Sequence, residues 1–409
     1  MKKLSFSNAQ KLIIEEGLKI NLSKEQVFLN QALFRVLGQD IKSNFNIPDG
    51  NKSAIDGFAV NTSFLDFLPK TFKILKNIPP ENIENINLKE DETVFVMTGA
   101  YIPKNANACI RIEDTKVDSN FQFVTIDKRL KEGELINFEG QELKKGEIVF
   151  KKGKYLNFKS VALLAHLGYF KIEVFRKLKI GIFSSGNEIK EPYIPYKKGI
   201  VYNTNYFLIW NLLKEVFKDN VDISYLGILP DKKEVILKSL EDNLDKYDII
   251  ITCGGISKGK YDFIKEASKS IFEILIENTK IRPGSPFLFG KKNKTYYFGL
   301  PGYPSAALVN AVIYLIPFIK AIYRISPYFK TFQAISQDNL KGKKERTDFI
   351  RVYLNRSQGY LSVSKKNLSE HTSNFYSMAI SDGLAIIPED KDYVFKGEYL
   401  EIIDFDHIL

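Results

Sequence analysis

Residues 247–262, YDIIITCGGISKGKYD, constrain this chain more than any other stretch. Ile249 to Thr252, with Tyr247 ahead of them, form a short, continuously apolar run. That pattern belongs to a strand buried on both faces of a parallel sheet. The run breaks at Cys253-Gly254-Gly255, and a helix is predicted to start near Asp262, with Phe263, Ile264 and Ala267 on one face. Strand, glycine-bearing loop and helix start together make an anion cradle. Glycines let the backbone approach a ligand, and the free N–H groups of the loop and first turn point at it. Ser257, Lys258 and Lys260 add a hydroxyl and two cations, and Asp262 adds a carboxylate. Alone, the pattern of Gly254, Gly255, Ser257 and Gly259 would serve any tight strand-to-helix turn, so its meaning rests on what surrounds it.

The surroundings are strands alternating with helices. KLKIGIFSSGNEI (177–189) is a buried strand running into Ser184-Ser185-Gly186-Asn187-Glu188. VYNTNYFLIWNLLKEVF is a helix capped by Asn203, Thr204 or Asn205. A strand near 223–228, a loop with Asp231 and a helix to about 244 lead to the strand at 247. Further on, YYFGLPGYPSAALVNAVIYLI reads as a strand, a turn and a helix capped by Ser305. This alternation predicts a doubly wound α/β domain over 177–327. Ligands of such sheets sit beyond the carboxyl ends of the strands. The tips carrying Glu188, Asp231, Gly254-Gly255 and Asp262 are therefore expected on one edge.

The flanks read differently. Residues 5–39 carry helical periodicity through Ile13, Ile14, Leu18, Val27, Leu29, Ala32, Leu33, Val36 and Leu37, ending at Gly38. In IPDGNKSAIDGFAV (47–60), Asp56-Gly57 is a turn signal before an extended run. Asp56 either caps that turn or is presented at a loop tip. From 70 to 150, TFKIL, ETVFVMTGAYIP, ACIRIED, FQFVTI and EIVF predict an all-β insert, in which Thr98-Gly99-Ala100 leaves a hydroxyl beside exposed backbone. SVALLAHLG (160–168) returns to helix. KIRPGSPFLFG places Lys280 and Arg282 around a Pro-Gly turn. After about 330, FIRVYL, GYLSVS, LAIIP and YLEIID predict a small β-rich domain. The fold class expected is thus multidomain α/β.

Several function classes are disfavoured. The excess of 59 basic over 49 acidic residues, a net charge of +10, is scattered lysine without a block of five like charges. It reads as a solvated surface, not a nucleic-acid face. Cys109 and Cys253 lie far apart in apolar runs, which argues for a reducing, cytoplasmic setting without disulfides. His166, His371 and His407 lack zinc-ligand spacing. MKKLSFSNAQ lacks the apolar core of a signal peptide, and Ala306 to Tyr323, with Asn310, Pro317 and Lys320, reads as a buried helix.

Three or more carboxylates on one rim repel an anionic ligand unless a cation stands between them. Mg²⁺ suits that place, since it takes few protein carboxylates and completes its shell with phosphate oxygens and water. Loop N–H groups with Lys258, Lys280 and Arg282 suit a phosphate or oxyanion. Together they point to metal-assisted chemistry at a phosphoester or phosphoanhydride. The competing reading is a set of helix caps and surface ion pairs.

Taken in order, SAIDGFAV, MTGAYIPKNANACIRIED, IFSSGNEI, ITCGGISKGKYD, IRPGSPFLFG, GLPGYPSAA and TDFIRVYL resemble the molybdopterin molybdenumtransferase (molybdenum insertase) family, to which the E domain of gephyrin also belongs. The resemblance implies four domains: an N-terminal linker domain (1–46 plus 143–176), a β-rich insert (47–142), the α/β molybdopterin-binding domain (177–327) and a β-rich C-terminal domain (328–409). It implies an enzyme that takes adenylylated molybdopterin and molybdate, hydrolyses the adenylate with Mg²⁺, and releases molybdenum cofactor and AMP. It further implies a homodimer whose cleft joins the α/β domain of one subunit to the insert of the other. Contacts with molybdopterin synthase or adenylyltransferase and with molybdoenzymes are expected, and none with nucleic acid or membrane.

By motif match, Asp56, Thr98, Glu188, Asp231 and Asp262 take the catalytic positions, with Glu188 and Asp262 as metal ligands. Glu142 stands where the family usually has aspartate. Ser185, Gly186, Gly254, Gly255, Ser257, Gly259 and Lys280 match substrate-binding positions. Arg282, Pro283, Arg351 and Ser373 match positions linked to the oxyanion, which suits guanidinium forks and a hydroxyl, and Ser285 stands at a further binding position. The usual Thr-Gly-Asp-Glu is here Ser185-Gly186-Asn187-Glu188, and Asn107 replaces a common aspartate. Leu-Pro-Gly-Asn-Pro is Leu300-Pro301-Gly302-Tyr303-Pro304. Lys-Pro-Gly-Lys is Arg282-Pro283-Gly284-Ser285, so one of two cations is missing, with Lys280 a candidate to compensate. A peptide-binding scaffold dimer and a molybdopterin adenylyltransferase are the alternative functions. An intact carboxylate rim argues against the first, and the insert and C-terminal domain argue against the second.

Overall fold

The computed structural model describes residues 3–80, 86–256, 263–328, 330–356 and 360–407. Contacts divide the chain into two units, Asp40–Lys151 with Leu163–Gly168, and the remainder.

The smaller unit is β-rich. Its main sheet contains Gly57–Val60, Lys70–Ile78, Glu92–Val96, Ala108–Arg111, Lys116–Val117 and Phe123–Ile126. Gly57 opens a strand instead of occupying a turn. A Cβ there would meet the Ile110 carbonyl oxygen at 1.9 Å, so close strand approach demands the glycine.

In the larger unit the N-terminal helix spans only Phe6–Lys19. The apolar spacing continues beyond it, but Lys24–Phe28 is a strand paired antiparallel with Lys171–Phe175, and Gly38 donates to the Glu173 carbonyl instead of ending a helix. Tertiary pairing overrides the helical period there.

The central sheet contains β1 (Leu178–Ser185), β2 (Val221–Leu229), β3 (Ile249–Cys253), β4 (Glu273–Glu277), β5 (Leu288–Lys292) and β6 (Thr295–Leu300), in the order β2-β1-β3-β6-β5-β4. The first four in that order run parallel, β5 is reversed against β6, and the edge strand β4, antiparallel to β5, returns to the common direction. Alternate β residues supply two cores. Ile180, Ile182, Ile249, Ile251 and Phe298 face α1 (Thr204–Phe217), while Phe183, Ile250 and Tyr297 face α2 (Lys233–Glu241) and α3 (Phe263–Ile271). Helices on both faces make the sheet doubly wound.

Pro304–Ile322 is the fourth helix, α4. It is long and apolar enough to cross a membrane by length and composition, and its apolar window is wholly buried inside the protein. It widens into a π turn at Ala311–Leu315, directly before Pro317, which lacks the N–H a regular turn would use. Tyr303, not Ser305, stands at its cap. Pro304 takes the first turn, and the Ser305 hydroxyl donates to the Asn374 carbonyl at 3.3 Å.

After α4 come β7 (Thr331–Ser336), β8 (Thr347–Asn355), β9 (Ser362–Ser364), β10 (Gly383–Ile387) and β11 (Tyr399–Asp404). Pairing of β8 with β10 closes the order β8-β9-β7-β11-β10 into a barrel. The short strand Ile281–Arg282 joins the barrel through β8, against Thr347 and Asp348.

Candidate active site

The register of the central sheet sets the site. Ser185 pairs with Leu229, Ser184 with Cys253, and Cys253 with Leu300, so the carboxyl ends of four parallel strands stop at one level. β1 and β3 lead their helices to opposite faces, and the crevice between their tips is where such sheets receive ligands.

The tip loops are stitched together at that crevice. Gly254 has φ +105°, and a Cβ on it would sit 2.9 Å from the Ser185 carbonyl, so only glycine lets these turns touch. The Asn187 N–H donates to the Asp231 carboxylate at 3.2 Å, and the Asp231 N–H donates to the Asn187 side-chain oxygen at 3.3 Å. The asparagine that replaces a family acid thus couples the β1 and β2 loops. Asn205, at the start of α1, donates to the Gly302 carbonyl at 2.8 Å and holds the β6 loop. No periodicity marks it as part of this end of the sheet.

Two groups remain open at these tips. Glu188 is exposed, and its carboxylate has no hydrogen bond or ion pair among the described residues; it lies over the Cα of Gly186, which a side chain would block at 2.7 Å. The Ser185 hydroxyl is buried and has no partner among the described residues, facing the Gly255 turn. Cys253, by contrast, is inert: burial pushes its thiol up to about 12. Ser185, Gly186, Glu188, Asp231, Gly254 and Gly255 therefore gather at one end, while Ser257, Gly259 and Asp262 lie outside the described residues.

A second feature of the larger unit is a cleft lined by Arg282, Pro283, Phe349, Ile350, Arg351 and Glu370. Arg351 is buried, and its guanidinium donates to the carbonyls of Ser369, His371 and Asn374. These bonds brace the exposed loop that carries Ser373. Burial pushes the Arg351 pKa down, opposed by Glu370 and reinforced by Arg282. Arg282 joins the ladder through its backbone against Asp348, and its guanidinium has no hydrogen bond or ion pair among the described residues. Ser285 is turned to the scaffold, donating to the Thr279 carbonyl at 2.7 Å. Lys280 pairs through its backbone with Leu4 and Thr347.

In the smaller unit, Asp56 and Thr98 meet. The Thr98 N–H donates to the Asp56 carboxylate at 2.6 Å and its hydroxyl at 2.9 Å. The N–H first and the hydroxyl second hold the carboxyl below its usual range. Glu142 is exposed, with its backbone N–H on the Ile47 carbonyl.

Comparison with known proteins finds three successive matches along the chain. Residues 4–168 match the family described as MoeA N-terminal region (domain I and II), 181–321 a probable molybdopterin binding domain, and 333–405 the MoeA C-terminal region (domain IV). A molybdopterin molybdenumtransferase from Haemophilus influenzae is 30% identical over 99% of this chain and 100% of its own length. The chain belongs to the molybdopterin molybdenumtransferase family. A putative molybdopterin biosynthesis protein from Methanocaldococcus jannaschii is 28% identical over 98% of this chain and 97% of its own. The crystal structure of a molybdopterin biosynthesis MoeA protein from Pyrococcus horikoshii superposes with a TM-score of 0.84 at 25% identity, covering 99% of both chains.

Proposed function

We propose that the protein inserts molybdenum from molybdate into molybdopterin, receiving the pterin as its adenylylated form and releasing AMP with Mg²⁺. The observation that carries this reading is the crevice between β1 and β3, where a Glu188 carboxylate and a Ser185 hydroxyl, both without partners among the described residues, flank a glycine turn. The backbone of Gly186, Gly254 and Gly255, with Ser185, Ser257 and Gly259, receives the phosphate groups of the substrate. Asp231, held by Asn187, keeps the neighbouring loop closed against it.

The donor set suits Mg²⁺. Among the described residues no group of three or more His, Cys, Asp or Glu gathers, which disfavours an all-protein metal cage. Mg²⁺ needs only one or two carboxylates beside phosphate and water, and Glu188 with Asp262 would provide them. When bound, the ion neutralises charge building up on the phosphoanhydride. Arg282 offers its free guanidinium fork to the tetrahedral oxyanion, with Pro283 shaping the turn, Lys280 adding charge nearby, and Arg351 placing Ser373 opposite. In a homodimer, the Asp56–Thr98 pair of the second subunit completes the cleft. The reading places the enzyme in the cytoplasm.

The test is release of AMP when purified protein receives adenylylated molybdopterin, molybdate and Mg²⁺. Turnover is expected in the wild type and its loss in Asp262→Ala and Glu188→Gln. A wild-type protein that binds the pterin but never releases AMP would overturn the reading.

A further inference from the structure

The turn that carries Arg282 has a second visitor. Residues 3–6 do not trail free but run along this turn. Leu4 bridges Thr279 in parallel, and its carbonyl accepts from the Lys280 N–H at 2.8 Å. Phe6 packs edge-on against Phe349, a wall of the cationic cleft, with ring centroids 5.3 Å apart. At the head of this segment the Lys3 ammonium donates to the Ser285 hydroxyl at 3.1 Å. Ser285 spends its only proton on the Thr279 carbonyl, so its oxygen is free to accept, and the donor directions agree along the chain Lys3, Ser285, Thr279.

We propose that Lys3 is an anion-binding residue of the Arg282–Arg351 cleft, delivering from the N-terminal segment a cation that residue 285 itself does not carry. Arg282 and Lys280 belong to one short turn, the Lys3 ammonium reaches that turn at Ser285, and Arg351 lines the cleft together with Arg282. Glu370 is the one acid in that wall, and it is already paired with Lys365 at 3.0 Å. Such an excess of positive charge favours an anion, and a tetrahedral dianion supplies two charges and four acceptors. Ser285 holds the ammonium in place while leaving its other two N–H groups for the ligand. The proposal rests on the cleft being the oxyanion site of the function above.

The test measures binding of molybdate alone to the full-length protein by calorimetry at low ionic strength, without pterin. Lys3→Ala is expected to weaken binding about 3- to 5-fold, as for loss of one exposed charged contact. Lys3→Arg should restore it within about 2-fold, and so should Lys3→Ala with Ser285→Lys, which moves the cation onto the turn. Melting temperatures should stay level across the set. Wild-type affinity in Lys3→Ala would overturn the proposal. So would a loss that neither rescue repairs, since the segment would then be acting as packing alone. Binding by the wild type that depends on Lys3, without AMP release in the complete assay, would sink the enzymatic reading and leave this one standing. Absence of molybdate binding by the wild type would sink this one.

Discussion

The cationic cleft beside the barrel and the carboxyl end of the central sheet follow one rule with opposite signs. In each, one charged side chain is consumed by its own scaffold while another is left open. Arg351 spends its donors on three carbonyls, whereas Arg282 has no partner among the described residues. Asp231 is tied to Asn187, whereas Glu188 has no partner among the described residues. The tied member sets loop geometry, and the open member is the one available to a ligand. A scaffold of this kind holds the ligand-facing charge in position without neutralising it beforehand.

The division can be broken at the tied end first. Arg351→Met should cost about 3 kcal/mol of stability, because the carbonyls of Ser369, His371 and Asn374 lose a buried donor. Its thermal unfolding should therefore move clearly below the wild type, along with activity. A level melting temperature would mean that Arg351 is not a strut. Glu188→Gln should leave melting unchanged but lower AMP release by about 100-fold or more, the scale for removing a charge that acts on the transition state. Arg282→Ala should also melt normally and weaken molybdate binding by about 10- to 100-fold, the cost of a lost guanidinium–oxyanion contact.

The smallest effect belongs to Asp56, whose carboxyl is held low by the Thr98 N–H and hydroxyl. A depressed carboxylate pKa adds stability that is present above the unfolded value of about 3.9 and fades as pH falls through the folded value. Asp56→Asn should lower the neutral plateau slightly and flatten the acid limb of the stability curve below about pH 4, where wild type and variant converge. An unchanged acid limb would show that the Thr98 contact is not kept in solution.

The central domain was legible because its signals are local. Ile249 to Thr252 is apolar without interruption, and it is a strand buried on both faces. Asn203 opens the following helix as a cap, accepting from the Tyr206 N–H at 3.4 Å. The N-terminal region was not legible in the same way. Val27 and Leu29 keep a helical spacing, yet pairing with residues almost 150 positions away turns Lys24–Phe28 into a strand. The edge strand β4 and the reversed direction of β5 escaped for the same reason, since strand direction near a sheet edge leaves no local mark.

The sequence by itself determined which residues could be charged, which turns needed glycine, and that strands and helices would alternate over the central domain. Periodicity and side-chain chemistry are properties of short stretches, so one chain suffices to read them. Only the tertiary structure decided which charges are spent and which remain available: that Arg351 braces a loop, that Asn187 answers Asp231, and that Lys3 reaches Ser285. Those outcomes depend on distances between residues far apart in the chain, and such distances are settled by packing, not by spacing.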